Sequence, residues 1–169
     1  KCHRLFFILE ASFVPASYII SHFIQIAGLL SYEEGVKKCM LEIFIDAASK
    51  GNPGPSGGGI VIKKQGKIEE HAFFLGIMNN HEAEFKILHK ALEICRKKDD
   101  STVWLKTDSK IVCDSVEKRY VKNEKFQPYL EKCLAIIDTF DLFFIKWIPE
   151  RENQHADRLA RQAIHKNGK

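Results

Sequence analysis

A run of glycines that leads straight into a β-branched strand constrains this chain more than any other feature. Five of the nine residues from Gly51 to Gly59 are glycine, two more are Pro53 and Pro55, and Ile60-Val61-Ile62 follows at once. Glycine and proline in such density mark a turn, whereas Ile-Val-Ile is strand material. A phosphate-binding loop is excluded. That loop must open a helix and carry Lys-Ser/Thr after its last glycine, and its backbone N–H groups hold the phosphate. Here a strand follows, and both prolines lack the N–H. The dinucleotide-binding fingerprint fails for the same reason. The stretch predicts a wide hairpin turn over 51–57 between a strand at Leu41–Asp46 and another at Gly59–Lys63.

The punctuation after that hairpin is regular. Gln65-Gly66 turns the chain into a third strand over Lys67–Leu75, so the opening is an antiparallel meander. Ala83, Ile87, Leu88, Ala91 and Cys95 recur at spacings of three and four, which predicts a helix over Glu82–Lys97. A fourth strand ends at Thr107-Asp108, and helical stretches follow near 110–117 and 128–139. Phe143–Ile148 forms a fifth strand. A closing helix from about Asn153 carries Ala156, Leu159, Ala160 and Ala163 on one face. This order specifies an α/β layered domain.

Composition bounds the partners. The 169 residues are 45% hydrophobic and 28% charged, which suits one domain with a packed core and excludes disorder. A net charge of +4 is compatible with an anionic partner without requiring one. Five scattered cysteines form no Cys-x-x-Cys pair, so a disulfide framework and a zinc site are both disfavoured, and a reducing, cytoplasmic setting is expected.

Residues 1–39 differ in character. Leu5 to Leu30 is largely apolar, but Glu10, Pro15, His22 and Gln25 interrupt it, so it makes a poor membrane span. Lys1 and Arg4 ahead of an apolar run resemble an export signal, yet Glu10 falls inside the apolar core. Met40, the first methionine, directly precedes the first strand. We therefore read 1–39 as an N-terminal extension of open status and 40–169 as the domain, one that folds when the chain starts at Met40.

Four carboxylates carry the chemistry. Asp46 and Asp108 lie at the ends of the first and fourth strands. If those strands are adjacent and parallel, as right-handed strand–helix–strand connections favour, both acids emerge at one sheet edge. Glu84 is placed in the first turn of the first long helix, and Asp157 flanks the buried stripe of the last one. Singly, each has a structural explanation: a first-turn acid favoured by the helix dipole, or an i,i+4 partner for Arg161. Together they repel one another unless cations are present. All-oxygen donors suit Mg²⁺ or Mn²⁺, and two such ions about 4 Å apart support phosphodiester hydrolysis.

Four segments carry a resemblance: Ile45-Asp46-Ala47-Ala48-Ser49-Lys50-Gly51-Asn52-Pro53-Gly54, Asn80-His81-Glu82-Ala83-Glu84-Phe85, Thr107-Asp108-Ser109 and Asn153-Gln154-His155-Ala156-Asp157-Arg158-Leu159-Ala160. In order and spacing, from about residue 41 to 165, the chain resembles a type 1 ribonuclease H. The resemblance implies a ribonuclease H-like three-layer α/β fold: a five-stranded mixed sheet with strands 1–3 antiparallel and strands 1, 4 and 5 parallel, flanked by helices. It implies endonucleolytic hydrolysis of the RNA strand of RNA–DNA hybrids by a monomer holding two Mg²⁺ ions, with Mn²⁺ as a substitute. Asp46 would bridge both ions, Glu84 and Asp108 would hold the one on the leaving-group side, and Asp157 the one bearing the attacking water. Ser49, Gly51, Asn52 and Asn80 match positions that contact RNA 2′-hydroxyls and backbone.

The chain departs from the family in four places. Asn79-Asn80-His81 replaces a Thr-Asn-Asn or Thr-Asn-Gln run, removing the threonine's phosphate contact. No Gly-His pair precedes the last aspartate, leaving Glu150, Arg151 and Glu152 as candidate substitutes; His155 reads as a surface helical residue. The long basic handle is reduced to Lys118, Arg119, Lys122 and Lys125, which either track phosphates or form a solvated face. The N-terminal extension lacks the Trp and Gly-rich pattern of the eukaryotic hybrid-binding domain. The alternative function is a catalytically weak RNA–DNA hybrid-binding module on the same fold.

Overall fold

The computed structural model describes residues 40–98 and 100–167. The reading of 1–39 as an extension concerns residues outside that range. Three strands form the meander: β1 (Met40–Ser49), β2 (Gly54–Lys64) and β3 (Lys67–Met78). Then come α1 (Asn80–Arg96), β4 (Thr102–Thr107), α2 (Lys110–Lys118), a short 3₁₀ turn (Glu124–Phe126), α3 (Gln127–Ile137), β5 (Leu142–Trp147) and α4 (Glu150–Asn167). The sheet order is β3-β2-β1-β4-β5, antiparallel through the first three strands and parallel across β1, β4 and β5. The expected topology is therefore the observed one.

The core lies where α1 and α3 cover one face of the sheet. β1 alternates, burying Leu41, Ile43 and Ile45 against α1. Every residue of the α1 stripe is buried, and Phe85 and Leu92 are buried as well. That face is wider than the periodicity suggests because α1 packs on the sheet and on α3 together. Cys95, Cys113 and Cys133 are buried; removal from water pushes the Cys95 and Cys133 thiols up to about 12, so they pack as apolar groups.

The glycine run is the main correction. Only residues 50–53 form the turn, and β2 begins at Gly54. The reason is on the opposite face, where α4 lies directly against β2. A Cβ on Gly57 would strike the carbonyl oxygen of Ala160, and one on Gly59 that of Ala156; on the core side, a Cβ on Gly58 would meet Ile87. The glycines serve close packing of helix on strand, with Ala156, Ala160 and Ala163 as the small residues facing them. Only Gly51, at φ +104°, needs glycine for its backbone conformation in the turn.

β1 runs on past the expected end at Asp46 to Ser49, and two helix starts also move. α1 starts at Asn80, which puts Glu84 beyond the first turn; Glu82 is the first-turn acid. α4 starts at Glu150, three residues earlier than expected. Pro149 at its threshold and Glu150 and Glu152 in its first turn account for the early start, since proline and acids both favour a helix N-terminus. Only Ile148 and Pro149 separate β5 from α4.

Candidate active site

The parallel ladder between β1 and β4 ends at the pair Ile45 and Thr107. Asp46 and Asp108 are the next residue on each strand, so both acids leave the sheet side by side where the pairing stops. β1 itself continues to Ser49 through its antiparallel bonds to β2, in which Asp46 faces Gly59. Asn153, in the first turns of α4 and 1% exposed, closes this junction. Its Nδ2 donates to the Ile45 carbonyl at 2.9 Å and to Asp108 Oδ1 at 3.0 Å, tying both strand ends to the helix. The indole N–H of Trp147 donates to the Asp108 carbonyl at 2.9 Å and holds the same residue from β5.

Helices deliver the other two acids. Because Gly57 and Gly59 let the α4 backbone approach β2, Asp157 comes to lie over β1 and faces Asp46. Arg161, one turn on, donates to Asp157 Oδ1 at 2.7 Å. Glu84 is turned toward its own helix: Asn80 Nδ2 donates to Oε1 at 3.0 Å, and His81 Nδ1 lies 3.1 Å from Oε2. Asn79 occupies the place of the family's threonine and caps α1, its side chain accepting from the Glu82 N–H at 2.8 Å.

All four predicted acids line one open cleft of about 310 Å³, together with Ser49, Asn80, Glu150 and Arg161. Asp46 sits at its centre. Burial first, then the facing charges of Asp108 and Asp157 and a hydrogen bond with Asp108, push its carboxyl from 3.8 up to about 8. Of the expected substrate contacts, Ser49 and Asn80 line the cleft, whereas Gly51 and Asn52 occupy the exposed turn that follows Ser49. His155 pairs with Glu70 on β3 at 2.6 Å, away from the acids, as a surface histidine should. Of the three charged candidates near the start of α4, Glu150 alone lines the cleft. In the basic run, Arg119 is committed to Asp138 by two bonds of 3.0 and 2.7 Å, while Lys118, Lys122 and Lys125 line a separate open groove with Tyr120.

Sequence reasoning missed Asn153 as a site residue and underrated Arg161. Asn153 stood in a quoted motif, but only a buried donor between two strand ends reveals its role. Arg161 was visible as the i+4 partner of Asp157, a spacing too common to single out.

The donor set suits a hard divalent cation: four carboxylates on one cleft, no sulfur ligand, and a central acid whose proton affinity is raised by its neighbours. Among the described residues no three His, Cys, Asp or Glu side chains yet close on one point. Two of the four, Glu84 and Asp157, are turned to partners on their own helices.

A 3-2-1-4-5 mixed sheet with acids where the parallel pairing of β1 and β4 stops, and on two helices, defines a ribonuclease H-like domain. The chain belongs to the family described as reverse transcriptase-like, whose profile matches residues 44–163. It is 50% identical over 129 residues to EbsB of Enterococcus faecalis, provisionally named a hydrolase, with 75% of this chain and 96% of EbsB covered. Among solved structures it resembles ribonuclease H1 of Halobacterium salinarum, with a TM-score of 0.71 and 27% identity over 75% of this chain and 98% of the other. A compost-derived ribonuclease H1, LC11, solved with an RNA/DNA hybrid, gives a TM-score of 0.70 and 28% identity over 76% and 99%.

Proposed function

We propose that residues 40–169 form a hybrid-specific ribonuclease H domain that cleaves the RNA strand of RNA–DNA hybrids with two divalent cations, Mg²⁺ or Mn²⁺. The observation that carries this reading is Asp46, half-buried at the centre of an all-carboxylate cleft with its proton affinity raised. Such a cluster is costly unless positive charge occupies it. Divalent cations, when bound, would offset that charge and supply Lewis-acid chemistry for phosphodiester hydrolysis. Asp46, which faces both Asp108 and Asp157, would help hold both ions, with Glu84 and Asp108 holding one and Asp157 the other.

The remaining residues position and select. Asn153 and Trp147 keep Asp108 in place. Ser49 and Asn80, beside the acids, meet the ribose of the RNA strand, and the turn at Gly51 and Asn52 meets its backbone. Recognition through ribose and phosphate tolerates sequence and distinguishes RNA by its 2′-hydroxyl. Glu150, at the cleft wall, stands in for the loop histidine that this chain lacks. Lys118, Lys122 and Lys125 offer a path for phosphates along the groove beside α2.

The deciding assay incubates labelled RNA–DNA hybrid, RNA–RNA and DNA–DNA duplexes with the protein and Mg²⁺ or Mn²⁺. Cleavage confined to the RNA of the hybrid is expected. Intact hybrid under both metals, with binding preserved, would leave the hybrid-binding module as the function.

A further inference from the structure

Ser56 is a polar residue with no exposure at all, in the middle of the glycine run, and the cleft acids do not touch it. It stands directly opposite Ser49 in the β1–β2 ladder, beside the register shift between Ser56 and Gly57 in the β2–β3 pairing. Three oxygens surround its hydroxyl: Ser49 Oγ at 2.8 Å, the Gly54 carbonyl at 2.9 Å and the Met78 carbonyl at 3.4 Å. A hydroxyl has one proton and two lone pairs, and carbonyls only accept. The Ser56 proton therefore goes to the Gly54 carbonyl, with Met78 as its more distant second acceptor. The contact with Ser49 must then run the other way, Ser49 Oγ–H donating to Ser56 Oγ. The reverse direction would leave the Ser56 lone pairs against the Gly54 carbonyl in a site without solvent.

This direction has a consequence for the cleft, which Ser49 lines. With its only proton spent inward, Ser49 presents lone pairs alone to whatever lies there. We propose that Ser56 is a specificity-determining residue. By holding the Ser49 proton, it makes Ser49 an obligate acceptor, matched to the 2′-hydroxyl donor of a ribose and unmatched by the 2′-CH₂ of DNA. The inference rests on the hybrid-cleaving function above and assigns part of its sugar selectivity to a residue buried behind the contact surface. Ser56 is a positioning residue, since it acts through Ser49.

The test compares dissociation constants of the full chain for an RNA–DNA hybrid and for a DNA–DNA duplex of the same sequence. Binding is measured in Ca²⁺ to limit turnover, for wild type, Ser56→Ala, Ser49→Ala and the double variant. Selectivity is the ratio of the two constants. Loss of the Ser49 hydrogen bond corresponds to a selectivity about 3- to 10-fold lower in Ser49→Ala, and Ser56→Ala, which frees the Ser49 proton but keeps its oxygen, lowers selectivity in the same direction by no more than that. The double variant should lose no more than Ser49→Ala, because Ser56 acts only through Ser49. Unfolding midpoints accompany each measurement, and the ratio is unaffected by a uniform loss of active protein. Selectivity unchanged in Ser56→Ala while Ser49→Ala lowers it would overturn the proposal, as would additive losses in the double variant or no loss in Ser49→Ala. If Ser56→Ala fails to fold, Ser56→Cys replaces it: its weaker S–H hydrogen bonding should reduce selectivity in the same direction, and unchanged selectivity would overturn the assignment. A wild type that binds both duplexes equally would overturn the function itself, a result distinct from any variant-specific one.

Discussion

The strand-borne and helix-borne acids of the cleft are treated differently by their surroundings. Asp46 and Asp108 extend from neighbouring strands whose backbone carries no charge to offset them. Asp108 is held by the neutral donors Asn153 and Trp147, while Asp46 faces two further carboxylates. Glu84 and Asp157 each have a partner one turn away or less on their own helix, Asn80 and His81 for one and Arg161 for the other. Helix periodicity makes such partners easy to provide, because residues three and four apart are neighbours. A strand offers its next same-face residue only two positions away, and here that residue lies in a packed sheet. The strand acids therefore crowd one another, while each helix acid has a partner within its own helix.

Removing the central strand acid should break the site most completely. Asp46→Asn is expected to lower hybrid cleavage about 1,000-fold or more, while raising the stability of the metal-free protein at neutral pH by relieving the crowding. Activity assays and denaturant unfolding in EDTA check both halves, and retention of full activity would remove Asp46 from the cation site. Next in size is Gly59→Ala. Its Cβ collides with the Ala156 carbonyl, so α4 must shift, at a cost of about 1–3 kcal/mol. Because the shift carries Asp157 away from Asp46, Mg²⁺ affinity by calorimetry should fall together with the unfolding midpoint.

Asn153→Ala should cost about 1–3 kcal/mol, since it leaves the Ile45 carbonyl without its buried donor and frees Asp108. Urea unfolding reads the first effect and Mg²⁺ titration the second. The pH dependence of stability separates strand from helix acids directly. The folded-state value of Asp46, about 8, lies above its ordinary 3.8, so between those limits the folded state binds more protons than the unfolded one. Its contribution is fully present below about pH 4 and is lost as pH rises toward 8, in the absence of metal. Asp46→Asn should flatten that fall, whereas Asp157→Asn should leave more of it. The smallest effect is expected for Arg161→Ala. Its pair with Asp157 is exposed on the arginine side, so stability should change by no more than about 1 kcal/mol. Mg²⁺ affinity should rise slightly as Asp157 loses its competing partner.

Much of this architecture is legible in the sequence because short-range rules govern it. The alternation in β1 and the stripes of α1 and α4 follow from burying one face of each element, and the order of elements restricts how they pack. Asp46 and Asp108 could be placed together because parallel strands joined by a right-handed crossover end at the same edge. The glycine run misled for the converse reason. Glycine followed by proline signals a turn locally, and nothing local says that a helix one hundred residues later will lie against Gly57 and Gly59. The same distance hid Asn153, whose partners are Ile45 and Asp108.

Alone, then, the sequence determined the elements, their order, the four carboxylates and the family resemblance, each set by residue chemistry and spacing along the chain. Tertiary structure decided how closely α4 meets β2, which of Glu150, Arg151 and Glu152 reaches the cleft, and that Glu84 and Asp157 rest on local partners. It also decided that the Ser49 and Ser56 hydroxyls meet. These depend on atoms brought within a few ångströms by packing, and no spacing along a single chain encodes such distances.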